Sequence, residues 1–182
     1  MKKLSDFFYK RTNGYLVLGF LALQFVFSGL LLPYFQKQFD PNLNLGLMDL
    51  NFGFTPEKGY SIIESYGENG RKIYLFVESF IDILYPIVYT TGLILLLSFL
   101  FKKNAFTKYR LLNILPFGGM IFDMGENFGI VQMLRAFPEK VDFWAKFASN
   151  SGMIKWLFFV TASVIVLISL VMWAIKSLPK KA

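Results

Sequence analysis

Residues 83–101 read ILYPIVYTTGLILLLSFLF, a run of nineteen residues without one charged side chain. The hydrocarbon core of a bilayer is about 30 Å thick and is crossed by a helix of roughly 20 apolar residues. Two further charge-free runs of this length occupy residues 12–36 and 156–175. We therefore expect an integral membrane protein of the all-α class.

The composition of the chain agrees with this expectation and excludes several kinds of chemistry. Of 182 residues, 55% are hydrophobic and only 17% are charged, compared with about 25% charged in soluble domains. The sequence has no Cys and no His, which excludes disulfides, thiolate catalysis and the usual zinc and haem ligands. Carboxylates, Lys, Arg, Tyr, hydroxyls and amides remain for any reaction, and no cofactor is expected.

A fourth span is predicted at 111–135, although this run contains Asp123 and Glu126. Its flanks are strongly apolar, and two carboxylates lower but do not abolish membrane insertion. No small-residue cleavage pattern follows the first apolar run, so we expect a retained helix rather than a signal peptide. The prediction is a single domain, 1–182, built as a four-transmembrane-helix bundle with spans at about 14–35, 74–101, 111–135 and 154–176.

Lys and Arg are distributed unevenly among the predicted loops. The N-terminal segment, the 102–110 loop and the C-terminal tail together hold eleven bases and one acid. The loops at 37–72 and 135–155, on the opposite side, have a net charge of only +1. Because positive charge accumulates on the cytoplasmic side, both termini are expected to be cytoplasmic, in a bacterial inner membrane. The bases flank spans rather than forming one dense stripe, so nucleic-acid binding is not expected.

The first outer loop, 36–73, contains a predicted short helix. Thr55-Pro56-Glu57 is a typical helix start, with an N-cap, a proline at the first helical position and an acid in the first turn. Gly67 and the Asn69-Gly70 pair are the predicted stop signals. The apolar side chains between them suggest an interfacial helix that rests at the membrane surface or caps the bundle, with a mobile lid as the alternative.

Two of the predicted spans carry polar faces. Ionisable residues inside a membrane are costly, so both faces are expected to point into the bundle. On the second span the polar residues recur at steps of four, three and four, which places them on one helical face. These residues are Glu78, Asp82, Tyr85 and Tyr89 on the second span, and Asp123, Glu126 and Asn127 on the third.

Other residues in these spans suggest features of packing. Gly125 and Gly129 form a small-xxx-small step, which predicts close approach of two helices. Pro86 and Pro116 lie inside spans, where we expect them to kink the helix and free carbonyls near the polar faces. Trp156 lies close to a predicted interface and is interpreted as an interfacial belt residue.

Bases at the outer ends of the spans, among them Arg71, Arg135 and Lys155, are long enough to reach inward and pair with the acids. A salt-bridge network would then only fix helix packing. Alternatively, the cluster binds or transports a cation, a proton or a basic amphiphile. A third interpretation is an intramembrane enzyme that uses Asp123 or Glu126 as acid or base on a lipid or isoprenoid. No ligand-specific loop accompanies the oxygen-bearing residues, so no metal is expected.

The first hypothesis is a carboxylate-lined cavity toward the outer leaflet that binds or transports a small cationic or amphiphilic ligand. An enzyme and an accessory subunit of a membrane complex are the alternatives. Membrane lipids are expected partners, and an oligomer or a complex partner stays open. The candidate ligand-binding residues are Arg71, Glu78, Asp82, Tyr85, Tyr89, Asp123, Glu126, Asn127 and Lys155.

A succession of motifs runs through 55–160: Tyr66-Gly67, Gly70-Arg71 and Tyr74, then Asp82, Pro86 and Tyr89, then Pro116, Asp123 and Glu126-Asn127, then Pro138 and Lys155-Trp156. This succession resembles that of a set of small bacterial four-helix membrane proteins. The resemblance implies four spans and implies that the polar members of these motifs belong to one group. It brings no activity with it.

Overall fold

The structure is a computed structural model that describes residues 1–40 and 47–178. The fold is all-helical, with 88% helix, and the described residues contain no strand. The 3₁₀ segments Met48–Leu50 and Thr107–Ile114 connect longer helices. The bases Lys180 and Lys181 of the tail lie outside the described residues. The helices are α1 (Lys2–Arg11), α2 (Gly14–Phe39), α3 (Pro56–Ser65), α4 (Gly67–Asn104), α5 (Pro116–Ala136) and α6 (Asp142–Ser177).

Three helices, α2, α4 and α6, are long and apolar enough to cross a membrane. In the most apolar 18-residue stretch of each helix, the share of residues buried within the molecule is 6% for α2, 50% for α4 and 11% for α6. Apolar surface exposed on this scale requires lipid or another protein around it. The three helices therefore indicate a membrane protein, in which α4 is the central helix.

The predicted fourth span is present as α5, a helix of 21 residues, but it does not belong to these three. Asp123, Glu126 and Arg135 make it more polar than the others. The two carboxylates face the inside of the molecule, since Asp123 is 4% exposed and Glu126 is 1% exposed.

The start of α4 differs from the prediction, which placed it near Tyr74. Gly67 has φ +65° and separates α3 from α4, as a stop signal should. The Asn69-Gly70 pair was the wrong stop signal, because it lies inside α4. At Gly70 a Cβ would lie 2.8 Å from the Phe39 carbonyl oxygen, so the missing side chain lets α4 approach the end of α2.

Other helix ends also differ. The N-terminal helix α1 was not predicted. Pro116 is the first residue of α5 and does not kink it, because a proline at this position loses no helical hydrogen bond. Helix α6 begins at Asp142 rather than near 154, so most of the predicted 135–155 loop is helical.

A buried apolar cluster covers one end of the long helices, and we call it the capping layer. It consists of α3, the Met48–Leu50 turn and the adjacent ends of α2, α4, α5 and α6. Three side chains of α3, those of Tyr60, Ile62 and Ile63, are at most 1% exposed. Helix α3 therefore covers the helix ends. Its N-cap is confirmed, because Thr55 Oγ1 accepts a hydrogen bond from the Lys58 N–H at 3.3 Å.

The opposite end of the molecule, which we call the basic end, joins α1, the Thr107–Ile114 segment and the last turns of α4 and α6. Arg110 forms an ion pair with Asp6 at 2.5 Å. Lys176 donates a hydrogen bond to the Asn104 carbonyl at 2.8 Å. The three base-rich segments of the sequence thus lie together at one end, as far as they are described.

Helices α5 and α6 pack closely because small residues lie between them. At Gly129 a Cβ would lie 2.8 Å from the Ala148 Cβ and 3.0 Å from the Ala148 nitrogen. At Gly125 it would lie 3.2 Å from the Ser151 hydroxyl oxygen. The small-xxx-small step predicted from the sequence therefore faces α6 and permits this approach.

Gly129→Ala is expected to lower the free energy of unfolding by about 1–3 kcal/mol, because the added methyl group overpacks the α5–α6 contact. Gly19→Ala on α2 is the matched control, since a Cβ at Gly19 meets no heavy atom within 4 Å. The control should be neutral or gain up to about 1 kcal/mol from helix propensity. Chemical unfolding in detergent, followed by circular dichroism, measures both. Equal effects of the two changes would contradict the close packing.

Candidate functional site

Two carboxylates of α5 meet a buried base from α6. Lys155 is 5% exposed, and its Nζ lies 3.1 Å from Asp123 Oδ1 and 2.5 Å from Glu126 Oε2. The Tyr89 hydroxyl of α4 donates a hydrogen bond to Asp123 Oδ2. A buried charge is tolerated when it is paired and hydrogen-bonded in this way. One ammonium group therefore joins α6 to α5 and, through Asp123, to the central helix.

The position of Glu126 depends on a glycine in α6. A Cβ at Gly152 would collide with Glu126 Oε1. Since Gly152 precedes Lys155 by three residues, the two lie on one face of α6. The carboxylate of Glu126 thus lies over the bare backbone at Gly152 and reaches the ammonium group from there.

A proline in α4 frees a backbone carbonyl that α5 then uses. Pro86 has no N–H, so it cannot donate to the Asp82 carbonyl four residues earlier. The Asn127 side chain donates to this carbonyl from Nδ2 at 2.6 Å. The carbonyl that Pro86 was expected to free is therefore a fixed connection between α4 and α5.

A π-helical turn at Val77–Ile81 separates Glu78 from the other polar residues of α4. Such a turn adds one residue, which rotates the preceding residues by about 100° in a helix of 3.6 residues per turn. The prediction of one face that includes Glu78, Asp82, Tyr85 and Tyr89 assumed an unbroken α-helix. Glu78 is therefore offset from the other three.

The structure adds an acid that the sequence analysis missed, Asp49 of the outer loop. It follows Met48, which is fully buried in the capping layer, and it lines the same cavity as Asp82 and Asp123. Burial raises the pKa of the Asp49 carboxyl above its usual value near 3.8, because desolvation outweighs the attraction of Lys155. Its apolar neighbours in the sequence were the available signal, since a run such as Leu47-Met48 is rarely left in water.

These residues line a cavity of about 280 Å³ between α2, α4 and α6, which we call the first cavity. Carboxylates form part of its wall and aromatic rings form another part. Trp156, interpreted from the sequence as a belt residue, belongs to this wall. The polar and aromatic lining includes Asp49, Asp82, Asp123, Lys155, Tyr85, Tyr89, Trp156 and Phe159.

A second cavity of about 370 Å³ lies between α4 and α5. Glu78, Asn127 and Arg135 line it, together with Ser79, Gln132 and apolar side chains. The sequence predicted a single carboxylate-lined cavity. The structure instead divides the predicted residues between two cavities, with Glu126 buried beside Lys155 and lining neither.

Arg71 was expected to pair with the acids, but its contacts with Phe137, Ile63 and Glu64 lie in the capping layer. Its guanidinium group lies 4.3 Å from the centre of the Phe137 ring. It also donates long hydrogen bonds of 3.5 Å to the carbonyls of Ile63 and Glu64. A cation is favourable at this place, because the last carbonyls of α3 are negative. Among the described residues, Lys155 is the base that forms ion pairs with the buried acids.

No family model matches the chain, and neither a curated protein nor a solved structure is significantly similar to it. The resemblance to small bacterial four-helix membrane proteins therefore gains no support from these comparisons. No group of three acids within the described residues has the arrangement of a metal site. The chemistry of the two cavities is accordingly argued from their geometry and charge.

Lys155→Met is expected to lower the free energy of unfolding by about 3–5 kcal/mol, because it leaves two buried carboxylates without a base. Adding Glu126→Gln to this variant should recover part of the loss, since one unpaired charge is removed. Lys176→Met is the control, and it should cost no more than about 1 kcal/mol because that ammonium lies at the basic end. Unfolding in detergent at pH 7 measures the three. A loss in Lys155→Met no larger than that of the control would contradict the buried ion pairs.

Asp49→Asn is expected to change how stability depends on pH. Because its pKa is raised in the folded state, the wild type loses stability as the pH rises above about 3.8, and the variant does not. The variant should therefore unfold at a higher temperature than the wild type at pH 7–8 and at the same temperature near pH 3. Glu57→Gln should show the opposite sign at neutral pH, since hydrogen bonds at the start of α3 lower the pKa of Glu57. A pH-independent difference for Asp49→Asn would contradict its burial as a charged group.

Proposed function

We propose that this chain is a four-span protein of a bacterial inner membrane whose first cavity binds or transports a small cationic amphiphile. The length of α5 supports the fourth span, because 21 residues of helix extend about 31 Å. The common location of the base-rich segments supports cytoplasmic termini, because Lys and Arg accumulate on that side. The first cavity then opens in the outer half of the bilayer.

The charge balance of the first cavity is the observation that carries this proposal. Asp49, Asp82 and Asp123 line it, and its one lining base is Lys155, which is already shared with Glu126. Among the described residues no ion pair reaches Asp49 or Asp82, and Asp49 Oδ1 is buried without a hydrogen-bond partner. A bound ammonium group supplies the positive charge that both carboxylates lack and an N–H donor for Asp49 Oδ1.

The aromatic wall of the first cavity suits the rest of such a ligand. The rings of Tyr89 and Phe159 lie 4.7 Å apart, and Phe159 continues to Trp156 at 6.2 Å. Tyr85 lies 5.2 Å from Tyr89 on the other side. Aromatic faces attract cations and also provide apolar contact, so one wall serves both parts of an amphiphile.

A groove of about 330 Å³ leads from the first cavity along the outside of α6. It shares Trp156, Phe159 and Ser163 with the cavity and continues to Leu167. The helix rises about 16 Å from Trp156 to Leu167, which provides room for an alkyl chain. The groove faces outward, so a ligand enters from the lipid rather than from water.

An intramembrane enzyme is the second candidate, and one observation favours it. Tyr89, Asp123, Lys155 and Glu126 form a continuous series of hydrogen-bonded acids and bases. Such a series is able to move a proton to or from a bound lipid. This candidate differs in outcome, because the recovered amphiphile or lipid would be chemically changed by the wild type and unchanged by Asp123→Asn.

The binding proposal is tested with dodecylamine in phosphatidylcholine nanodiscs. In a Trp144→Phe, Trp173→Phe background, Trp156 is the remaining tryptophan and reports on the first cavity. The ammonium form should change its fluorescence in a saturable way, and the neutral dodecanol should not. Asp82→Asn should weaken dodecylamine binding about tenfold or more, the effect of losing one charged hydrogen bond.

Glu68→Gln is the matched control, because it removes the same charge from an exposed residue paired with Lys72. Its affinity should equal that of the parent protein. If Asp82→Asn unfolds at the parent's temperature and also binds dodecylamine with the parent's affinity, the carboxylates of the first cavity do not hold the ligand and the proposal is wrong.

A further inference from the structure

The second cavity differs from the first in the kind of polar group that faces it. Glu78 and Asn127 line it, and each is only 2% exposed. Glu78 Oε2 and Asn127 Oδ1 have no hydrogen-bond partner among the described residues. Both atoms are acceptors, and buried acceptors in folded proteins are almost always paired. These two acceptors therefore lack a donor in the second cavity, one of them on a carboxylate, although the Ser79 hydroxyl and the Gln132 amide also line the cavity.

Arg135 lines the second cavity at the end opposite Glu78 and Asn127. Arg135, in the last turn of α5, is exposed and forms no ion pair within the described residues. It follows Asn127 by eight residues, about 12 Å along the helix, but long helical side chains point toward the N-terminus, so its guanidinium group reaches back toward Asn127 along the cavity that both line. A guanidinium group binds phosphate with two parallel hydrogen bonds. The second cavity thus offers acceptors for a cation at one end and a donor for an anion at the other.

The sides of the second cavity are apolar and face outward. Ile83 is 44% exposed and Phe128 is 51% exposed, and both line it. Phe80, one turn from Ile83 on α4, is 62% exposed. A ligand that reaches the acceptors across these side chains has its apolar part outside the protein, where the lipid lies.

We propose that the second cavity binds the headgroup of phosphatidylethanolamine, with its primary ammonium group on Glu78 and Asn127 and its phosphate on Arg135. The three N–H donors of a primary ammonium satisfy the two orphaned acceptors. A trimethylammonium group has the same charge but no N–H, and glycerol headgroups have no cation. The site therefore selects for N–H hydrogen-bond donors as well as for positive charge.

Native mass spectrometry of the detergent-solubilised protein tests this proposal. Equal amounts of phosphatidylethanolamine, its N,N-dimethyl form, phosphatidylcholine and phosphatidylglycerol, all with the same acyl chains, compete for the wild type. Retention should fall as N–H groups are removed, with about a tenfold difference between phosphatidylethanolamine and phosphatidylcholine. Equal retention of the methylated series would overturn the proposal, and this comparison requires no variant.

Variants assign the effect to the second cavity. Glu78→Gln should reduce phosphatidylethanolamine to the level of phosphatidylcholine, and Arg135→Gln should weaken all four lipids alike. Lys72→Gln is the control that should keep the preference, because Lys72 is exposed and paired with Glu68. A preference that survives in a folded Glu78→Gln protein would overturn the assignment.

Adding an excess of free phosphoethanolamine distinguishes a lipid headgroup from a soluble phosphate ester as the ligand of the second cavity. The proposal expects the bound lipid to remain, because the acyl chains contribute to binding along the apolar sides of the cavity. If the excess of free phosphoethanolamine displaces the lipid, the acyl chains do not hold it and the lipid source is overturned.

Discussion

Lys155 places one ammonium group between two carboxylates of the neighbouring helix, and all three residues are at most 5% exposed. In such surroundings each charge must find its partner within the molecule, since solvent cannot compensate it. The contact is reached only because glycines let α5 and α6 approach so closely. Packing and electrostatics therefore both require α5 and α6 to lie close together. The central helix α4 joins them through the hydrogen bond from the Tyr89 hydroxyl to Asp123.

The same ion pairs explain why charge is left over around them. One base satisfies Asp123 and Glu126, while Asp49, Asp82 and Glu78 remain without one among the described residues. Two of these acids face the first cavity and one faces the second. The surplus is thus distributed on both sides of α4, which gives the molecule two chemically different recesses around one fixed core.

The polar residues of α4 and α5 could be predicted from the sequence, because charged groups in an apolar run must face inward and the helical period fixes which of them lie together. The division into two cavities could not. It depends on the π turn at Val77–Ile81, an irregularity that periodic reasoning does not contain. Asp49 was missed for another reason. A loop residue is expected to be exposed to solvent, and here it is buried through a long-range contact, because its neighbour Met48 packs in the capping layer. Arg71 was expected to reach inward to the acids because its side chain is long, but it contacts the Phe137 ring and the last carbonyls of α3 instead.

The 36 residues of α6 extend about 54 Å, far beyond the hydrocarbon thickness of a bilayer. Ala145 and Ala148 of this helix are fully buried in the capping layer, and Lys155 lies ten residues from Ala145 on the same continuous helix. The helix therefore acts as a lever arm of about 15 Å between the capping layer and the ammonium group. A tilt of α6 by a few degrees about its contact with α3 shifts Lys155 by about 1 Å. This shift is enough to break the ion pairs of Lys155 with Asp123 and Glu126.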